Sequence, residues 1–189
     1  VYQLIQQEIQ KKALAPYSVL AHEGFLRYVF IRESKSHSMQ RIVAFVTFNT
    51  ENPEKMETIA RVLLDSSFVS GVVWIINSQW NDQIQGDVFR IWGNGELVEK
   101  INGIDYRYNA LCFFQTNPKM AGKLQAVVEE KIQEKVHVLD LFCGVGLFSL
   151  PLIAKGHFVK GVELSKDSIA YARKNAYALG LGDDAFALA

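Results

Sequence analysis

Apolar positions along the chain follow two patterns, helical faces and short strand-like runs. Residues 1–14 carry apolar side chains at helical spacing, which predicts a helix. Residues 25–31 and 42–48 are rich in β-branched and aromatic residues and predict two strands of a hairpin. The pair Asn52–Pro53 predicts the start of a second helix, because asparagine caps helices and proline suits the first helical position.

The middle of the chain reads mainly as strands. The continuous apolar run 72–76 predicts a buried strand. Residues 88–92 and 97–101 flank a Gly-Asn-Gly sequence at 93–95, which predicts a second hairpin. Strand-like composition continues over residues 106–114. Together with the preceding elements, this pattern predicts a central mixed α+β domain over residues 1–115, with no chemistry indicated by its sequence.

After Gln115 the pattern changes to alternating helices and strands. Predicted helices cover residues 117–133, 147–154 and 166–179, and predicted strands cover 136–142 and 158–164. This alternation predicts parallel βαβ units and an α/β domain with a doubly wound sheet over residues 116–189. Such sheets usually contain more strands than these two, so we expect this domain to be truncated and the parent protein to continue past Ala189.

Composition limits the classes of protein. The chain has 189 residues, is 49% hydrophobic and 21% charged, and has a formal net charge of +0, as ordinary globular proteins do. The neutral charge is not that of a dedicated nucleic-acid binder, so a nucleic-acid partner must be argued from motifs. Cys112 and Cys143 form no CxxC pair and predict reduced thiols in a cytoplasmic protein without a metal site. No apolar run is long enough to predict a membrane span.

A glycine turn follows the predicted strand 136–142. Gly144 and Gly146 allow the backbone to turn sharply and to approach a ligand closely. Ligands of doubly wound sheets lie at the carboxyl ends of the strands, where Glu163 ends the next strand and can accept hydrogen bonds from a ribose. A loop and an acid in this arrangement occur in nicotinamide enzymes and in methyltransferases.

Two residues favour a methyl donor over a dinucleotide. A nicotinamide fingerprint requires a third glycine where this chain has Ser149. Asp140 ends the first strand and suits the cationic sulfonium and amino groups of S-adenosylmethionine. A plain strand–helix turn without a ligand is the weaker alternative, because an acid at a buried strand end is costly without a partner. Phe142 either contacts the adenosine or packs in the core, and Cys143 is interpreted as a small packing residue.

Longer strings resemble the RNA uracil-5-methyltransferases, a class I family that uses S-adenosylmethionine to methylate carbon 5 of uridine in ribosomal or transfer RNA. The resemblance lies in residues 140–152 (DLFCGVGLFSLPL) and in residues 161–165 (GVELS), followed by 172–176 (ARKNA). It is most specific in residues 113–117 (FFQTN). Residues 24–28 (GFLRY) resemble the family's central domain. The resemblance implies that residues 116–189 form the first part of a Rossmann-like methyltransferase sheet.

The resemblance also implies a set of donor-binding residues. It assigns Gln115, Phe142 and Glu163 to the donor, with the turn from Gly144 to Gly146 around its methionine part. Without the resemblance, Gln115 would be interpreted as a side chain that caps a loop at a helix start. Many family members carry asparagine where this chain has Leu147. Leucine has no polar side chain for such a contact, so any role of this residue in donor binding would be through its backbone.

The family's catalytic groups are not found in this sequence. Its nucleophilic cysteine, which adds to carbon 6 of uracil, and its base lie in later segments, so we expect them beyond Ala189 and expect this chain alone to be inactive. The full-length protein could carry an iron–sulfur cluster, but the ligands are not in this chain. The string at residues 24–28 leads us to expect 23S ribosomal RNA rather than transfer RNA. A methyltransferase of another nucleic-acid substrate and a non-catalytic scaffold stay open as alternatives.

Overall fold

The structure is a computed structural model that describes residues 1–132, 134–182 and 184–189. Its helices are α1 (Tyr2–Lys11), α2 (Pro53–Asp65), α3 (Pro118–Lys131), α4 (Ser149–Ala154) and α5 (Lys166–Ala178). Its strands are β1 (Leu26–Glu33), β2 (Arg41–Thr47), β3 (Gly71–Ile76), β4 (Asp87–Gly93), β5 (Glu96–Ile101), β6 (Ile104–Asn109), β7 (His137–Leu141), β8 (Phe158–Glu163) and β9 (Phe186–Leu188). The chain divides into two compact units, Val1–Leu97 and Val98–Ala189.

The first unit contains a sheet with the strand order β1-β2-β3-β4. β1 and β2 pair antiparallel, which confirms the predicted hairpin, and β2 pairs parallel with β3 across the connection that contains α2. β4 pairs antiparallel with β3 at the edge of the sheet. The mixed strand directions confirm the prediction of an α+β fold for this part of the chain.

The helix α2 closes the core of the first unit. It begins at Pro53, as predicted, although the side chain of Asn52 makes no capping hydrogen bond within the described residues. Its apolar face packs with the inner side chains of β2 and β3, in a cluster that includes Met56, Ile59, Leu63, Phe45 and Trp74. All of these side chains are fully buried. Each contributes about 1.5–3 kcal/mol through the removal of apolar surface from water.

The predicted hairpin around residues 93–95 is wrong. β4 pairs with β3, whereas β5 pairs with β6 in a separate two-stranded sheet. The backbone N–H of Asn94 donates to the carbonyl of Ser70 at 2.7 Å, so the chain after β4 stays beside the start of β3. Gly93, with φ of +70°, allows this turn. Pairing with a distant strand therefore overrides the local hairpin signal.

The second unit contains a parallel sheet with the strand order β7-β8-β9. α4 connects β7 to β8, and α5 connects β8 to β9, which confirms the predicted βαβ units. The helix predicted to end near Gln133 has its last described helical residue at Lys131, and Gln133 lies outside the described residues. The short strand β9 was not predicted from the sequence. Its Phe186 is almost fully buried in the described chain.

The compact units divide the chain earlier than the boundary predicted near Gln115. β6 packs against α5, and the backbone of Arg107 exchanges two hydrogen bonds with the buried Asn175 side chain. Residues predicted to end the first domain therefore contact α5, a helix of the second unit. None of the described helices combines the length and apolar character that a membrane span requires.

A hydrogen bond of the Trp74 indole provides a test of the core of the first unit. Its Nε1 donates to the Thr47 hydroxyl at 2.7 Å, and both residues are fully buried. We expect Thr47→Val to lower the free energy of unfolding by about 1–3 kcal/mol, because the indole N–H loses its partner. The matched control Thr58→Val, on α2, should change it by less than about 0.5 kcal/mol. Urea denaturation measures both, and equal effects of the two variants would contradict the role of the buried bond.

Candidate functional site

The parallel sheet brings two acidic strand ends to the same edge. Asp140 of β7 pairs with Gly161 of β8, two residues before Glu163. After β7 the chain stays against β8, because the N–H groups of Phe142 and Cys143 both donate to the carbonyl of Val162, at 2.8 and 3.1 Å. The structure thus places the predicted acid and the predicted glycine loop side by side at the carboxyl ends of the strands. We call residues 142–148 the glycine loop.

Glu163 connects the glycine loop to the turn after β8. Its Oε2 accepts a hydrogen bond from the Gly144 N–H at 3.0 Å. Its Oε1 accepts from the N–H groups of Leu164 and Ser165, at 2.7 and 3.0 Å. A carboxylate offers about four lone-pair sites, so three backbone bonds leave acceptor capacity for a ligand hydroxyl. Glu163 therefore shapes the site as well as presenting an acceptor to it.

Asp140 is a half-buried carboxylate with few compensating contacts. Its Oδ2 accepts a hydrogen bond from the Ser149 hydroxyl at 2.6 Å. Burial raises the pKa of Asp140, the Ser149 hydrogen bond opposes this rise, and the negative charge of Glu163 adds to it. The two acids thus lie close enough to repel each other. A cationic group bound at this strand edge would relieve that repulsion.

The two glycines of the loop have different reasons to be glycine. Gly144 has φ of +55°, and a Cβ atom there would meet nothing within 4 Å, so this side of the loop faces open space. Gly146 has φ of +91°, and a Cβ atom there would lie 2.9 Å from Cγ of Leu150. Gly146 therefore allows the loop to pack on the start of α4, whereas Gly144 leaves room beside the loop for a ligand.

Phe142 is an exposed residue in a left-handed conformation. Its side chain is 80% exposed, so core packing, the alternative from the sequence, does not hold in the described chain. Its φ of +64° is rare for a bulky residue and costs about 1–2 kcal/mol. Strained residues of this kind cluster at ligand sites.

Cys143 is a packing residue in this structure. Its side chain is buried, and its Sγ would lie 3.0 Å from a Cβ atom at Gly161, beside the ring of Phe186. Burial raises the pKa of Cys143 to about 12, and the carboxylates of Asp140 and Glu163 act in the same direction. The thiol therefore stays protonated at neutral pH and is a poor nucleophile.

Gln115 is a half-buried residue in the segment that connects β6 to α3. The segment before it is fixed by Asn109, whose Oδ1 accepts from the N–H groups of Leu111 and Cys112, both at 2.9 Å. The Asn109 Nδ2 donates to Asp167 at 3.2 Å, in the first turn of α5. Because α5 follows Glu163 closely, the segment is tethered near the carboxyl end of β8. Donor binding by Gln115 stays a prediction.

Sequence reasoning missed three polar residues that support the loop. In the sequence Ser149 indicated only that a third glycine is absent, although in the structure its hydroxyl donates a hydrogen bond to Asp140. Asn175 and Gln125 are buried amides on α5 and α3 whose side chains reach the loop backbone. The available signal was a polar amide on the buried face of each predicted helix. The described residues contain no group of histidine, cysteine and acidic side chains that could hold a metal ion.

Known proteins are similar to this chain in sequence and in fold. The family described as tRNA (Uracil-5-)-methyltransferase matches residues 94–183. The tRNA (uracil(54)-C(5))-methyltransferase of Pyrococcus furiosus is 31% identical over 172 residues, which cover 91% of this chain and 40% of that protein. The crystal structure of the Pyrococcus abyssi tRNA (uracil-54, C5)-methyltransferase in complex with S-adenosyl-L-homocysteine matches with a TM-score of 0.81 and 28% identity, over 100% of this chain and 44% of that one. The chain belongs to the RNA uracil-5-methyltransferase family.

This membership confirms the resemblance seen in the sequence and the class I methyltransferase fold. An uncharacterized RNA methyltransferase of Nanoarchaeum equitans is also similar, with 32% identity over 171 residues, covering 89% of this chain and 38% of that protein. The chain spans about two fifths of the length of the curated relatives it matches. The expected preference for ribosomal RNA finds no support in these relatives, since the named ones are transfer RNA enzymes.

The raised pKa of Asp140 has a measurable consequence for stability. Because the folded protein favours the protonated carboxyl, its free energy of unfolding falls as pH rises from the ordinary carboxyl range through the raised pKa. We expect Asp140→Asn, which cannot ionise, to be more stable than the wild type above that range and to lose this advantage below it.

The control for this comparison is Asp105→Asn, which removes an exposed carboxylate from β6. It should change the free energy of unfolding by less than about 0.5 kcal/mol, as substitutions of exposed side chains usually do. Urea denaturation from about pH 4 to about pH 8, a range that begins near the ordinary carboxyl pKa and extends above it, measures all three proteins. An Asp140→Asn protein that is less stable than the wild type at neutral pH would contradict the assignment.

Proposed function

We propose that this chain is the donor-binding part of an RNA methyltransferase that transfers a methyl group from S-adenosylmethionine to carbon 5 of a uridine in transfer RNA. The observation that carries the proposal is the pair of carboxylates, Asp140 and Glu163, at the ends of adjacent parallel strands beside a glycine turn. Family membership gives the reaction class. The match to a structure in complex with S-adenosyl-L-homocysteine supports the donor.

The residues present fit S-adenosylmethionine in charge and in shape. Asp140 is an ionisable group with a raised pKa, and a sulfonium or amino cation beside it would favour its charged form. Glu163 keeps acceptor capacity for ribose hydroxyls at the end of β8. The exposed ring of Phe142 offers a face on which adenine can stack. Gly144 leaves room for the chain of the methionine part.

The donor supplies an electrophilic methyl group on its sulfonium sulfur. The residues of this chain bind and orient it, which contributes to the rate by proximity. The buried Cys143, with its pKa raised to about 12, is unsuited to attack carbon 6 of a uracil. The nucleophile and the base are therefore proposed to come from other parts of the whole protein.

Transfer RNA is the proposed substrate in place of ribosomal RNA. Two relatives that match nearly the whole chain, from Pyrococcus furiosus and Pyrococcus abyssi, are named for uracil 54 of transfer RNA. The sequence-based preference for ribosomal RNA depended on residues 24–28 alone. Those residues form the entry into β1 of the first unit, which contains none of the residues assigned to the donor.

Donor binding is tested by calorimetric titration of this chain with S-adenosylmethionine. We expect Glu163→Ala to weaken binding by at least about tenfold, because a hydrogen bond to a charged group contributes about 1.5–3 kcal/mol. The control Glu130→Ala removes an exposed carboxylate from α3 and should bind like the wild type. Absent binding by the wild type, or equal binding by all three proteins, would favour the non-catalytic scaffold.

The substrate is tested on the whole protein with radiolabelled S-adenosylmethionine. We expect label in an unmodified transfer RNA transcript, recovered as 5-methyluridine on nucleoside analysis, and little label in a ribosomal RNA transcript. Label in ribosomal RNA alone would overturn the choice of transfer RNA. Label recovered in a methylated cytosine would instead point to the alternative of a different nucleic-acid target.

A further inference from the structure

Two carbonyl groups of the glycine loop are held from its buried side by side-chain amides. The Val145 carbonyl accepts a hydrogen bond from Nδ2 of Asn175 at 3.2 Å. The Leu147 carbonyl accepts from Nε2 of Gln125 at 2.7 Å. Asn175 is 0% exposed and Gln125 is 1% exposed. These carbonyls lie on either side of Gly146, the residue with φ of +91°, so the amides hold the sharpest part of the loop.

Both the oxygen and the nitrogen of the Asn175 side-chain amide form hydrogen bonds. Its Oδ1 accepts from the Arg107 N–H at 2.9 Å, and its Nδ2 donates to the Arg107 carbonyl at 3.1 Å. The second Nδ2 hydrogen then serves the Val145 carbonyl. This set of contacts needs one acceptor and two donors on a short side chain, which asparagine provides. Asn175 thus fixes the loop to the backbone of β6.

The Gln125 amide is the centre of a second buried set of hydrogen bonds. Its Nε2 donates to the Leu147 carbonyl and to the Tyr106 hydroxyl, the latter at 2.9 Å. The Tyr106 hydroxyl in turn donates to the same carbonyl at 3.2 Å. The Gln125 Oε1 accepts from Nδ2 of Asn102 at 2.8 Å. Burial raises the pKa of Tyr106, which keeps its hydroxyl protonated as a donor.

Buried polar groups of this kind fix geometry. An apolar core would bury the same helix faces without the desolvation cost of the amides. A fully paired polar network accepts only one arrangement of its partners. The carbonyl and N–H of a trans peptide point in opposite directions, so holding the Leu147 carbonyl also fixes where the Phe148 N–H points.

We infer that Asn175 and Gln125 are positioning residues that set the glycine loop for the amino-acid part of the methyl donor. Neither side chain is proposed to touch the donor; each acts through a loop carbonyl. Glu163 holds the loop through the Gly144 N–H and is the proposed acceptor for the ribose hydroxyls. This inference rests on the proposed function, because it presumes that the loop surrounds the methionine part.

Two ligands that differ only in that part can test the inference. S-adenosylhomocysteine carries the amino-acid chain, and 5′-methylthioadenosine lacks it. For Gln125→Met, a change that keeps the volume, and for Asn175→Asp, which keeps the acceptor, we expect affinity for S-adenosylhomocysteine to fall about tenfold, because each variant loses one hydrogen bond to a loop carbonyl. Affinity for 5′-methylthioadenosine should change by less than about threefold.

Two further variants calibrate this measurement. Tyr106→Phe removes one donor to the Leu147 carbonyl and leaves Gln125 in place, so its effect should be smaller than that of Gln125→Met. Lys155→Met removes the ion pair between the C-cap residue of α4 and Glu129 of α3, at the end of α4 opposite the loop, and should affect neither ligand. All titrations are made at a temperature at which circular dichroism shows each variant folded.

The outcomes separate the inference from the proposed function. A wild type that binds neither ligand would overturn the proposed function. A wild type that binds both, with variants that lose affinity for both equally or for neither, would overturn only the positioning roles. If Asn175→Asp fails to fold, Gln125→Met and Tyr106→Phe decide the result for the Gln125 side of the loop, and Asn175→Ser, which restores one donor, is titrated for the other.

Discussion

The Glu163 carboxylate is the interaction on which the site depends. Three backbone N–H groups, from the loop after β7 and from the turn after β8, converge on its two oxygens. Parallel pairing of β7 and β8 brings both turns to one edge of the sheet, and the carboxylate holds them together there. The sequence indicates Glu163 only as a ligand contact. In the structure its carboxylate also holds the glycine loop against the turn after β8.

The site contains several features that cost the free protein stability. Asp140 and Glu163 are like charges at neighbouring strand ends, and burial raises the pKa of Asp140. Phe142 exposes a large ring in a left-handed conformation. Asn175 and Gln125 occupy core positions that apolar side chains could fill. The proposed cationic nucleoside ligand would account for all of these features, since it would neutralise the acids, cover the ring and require a fixed loop.

Local signals predicted the elements that pack locally. Pro53 and Pro118 mark the starts of α2 and α3, and the Ser165 hydroxyl caps α5 by accepting from the Ser168 N–H. The Gly-Asn-Gly turn at residues 93–95 misled because β4 pairs with β3, which is distant in sequence. The strand β9 was missed because a three-residue strand has too few positions to show alternation. Its place in the sheet depends on the parallel pairing with β8.

By itself the sequence determined the family, the alternation of strands and helices after residue 115, and the acid and glycine positions Asp140, Gly144, Gly146 and Glu163. These are local strings: the family follows from their resemblance to known motifs, and the alternation of strands and helices follows from residue type and spacing. Only the tertiary structure decided that Phe142 is exposed, that Cys143 is a buried thiol with a raised pKa, and that Asn175 and Gln125 hold the loop. Burial and hydrogen-bond partners arise from residues far apart in the chain, and no local pattern records which distant backbone carbonyl a buried amide will meet.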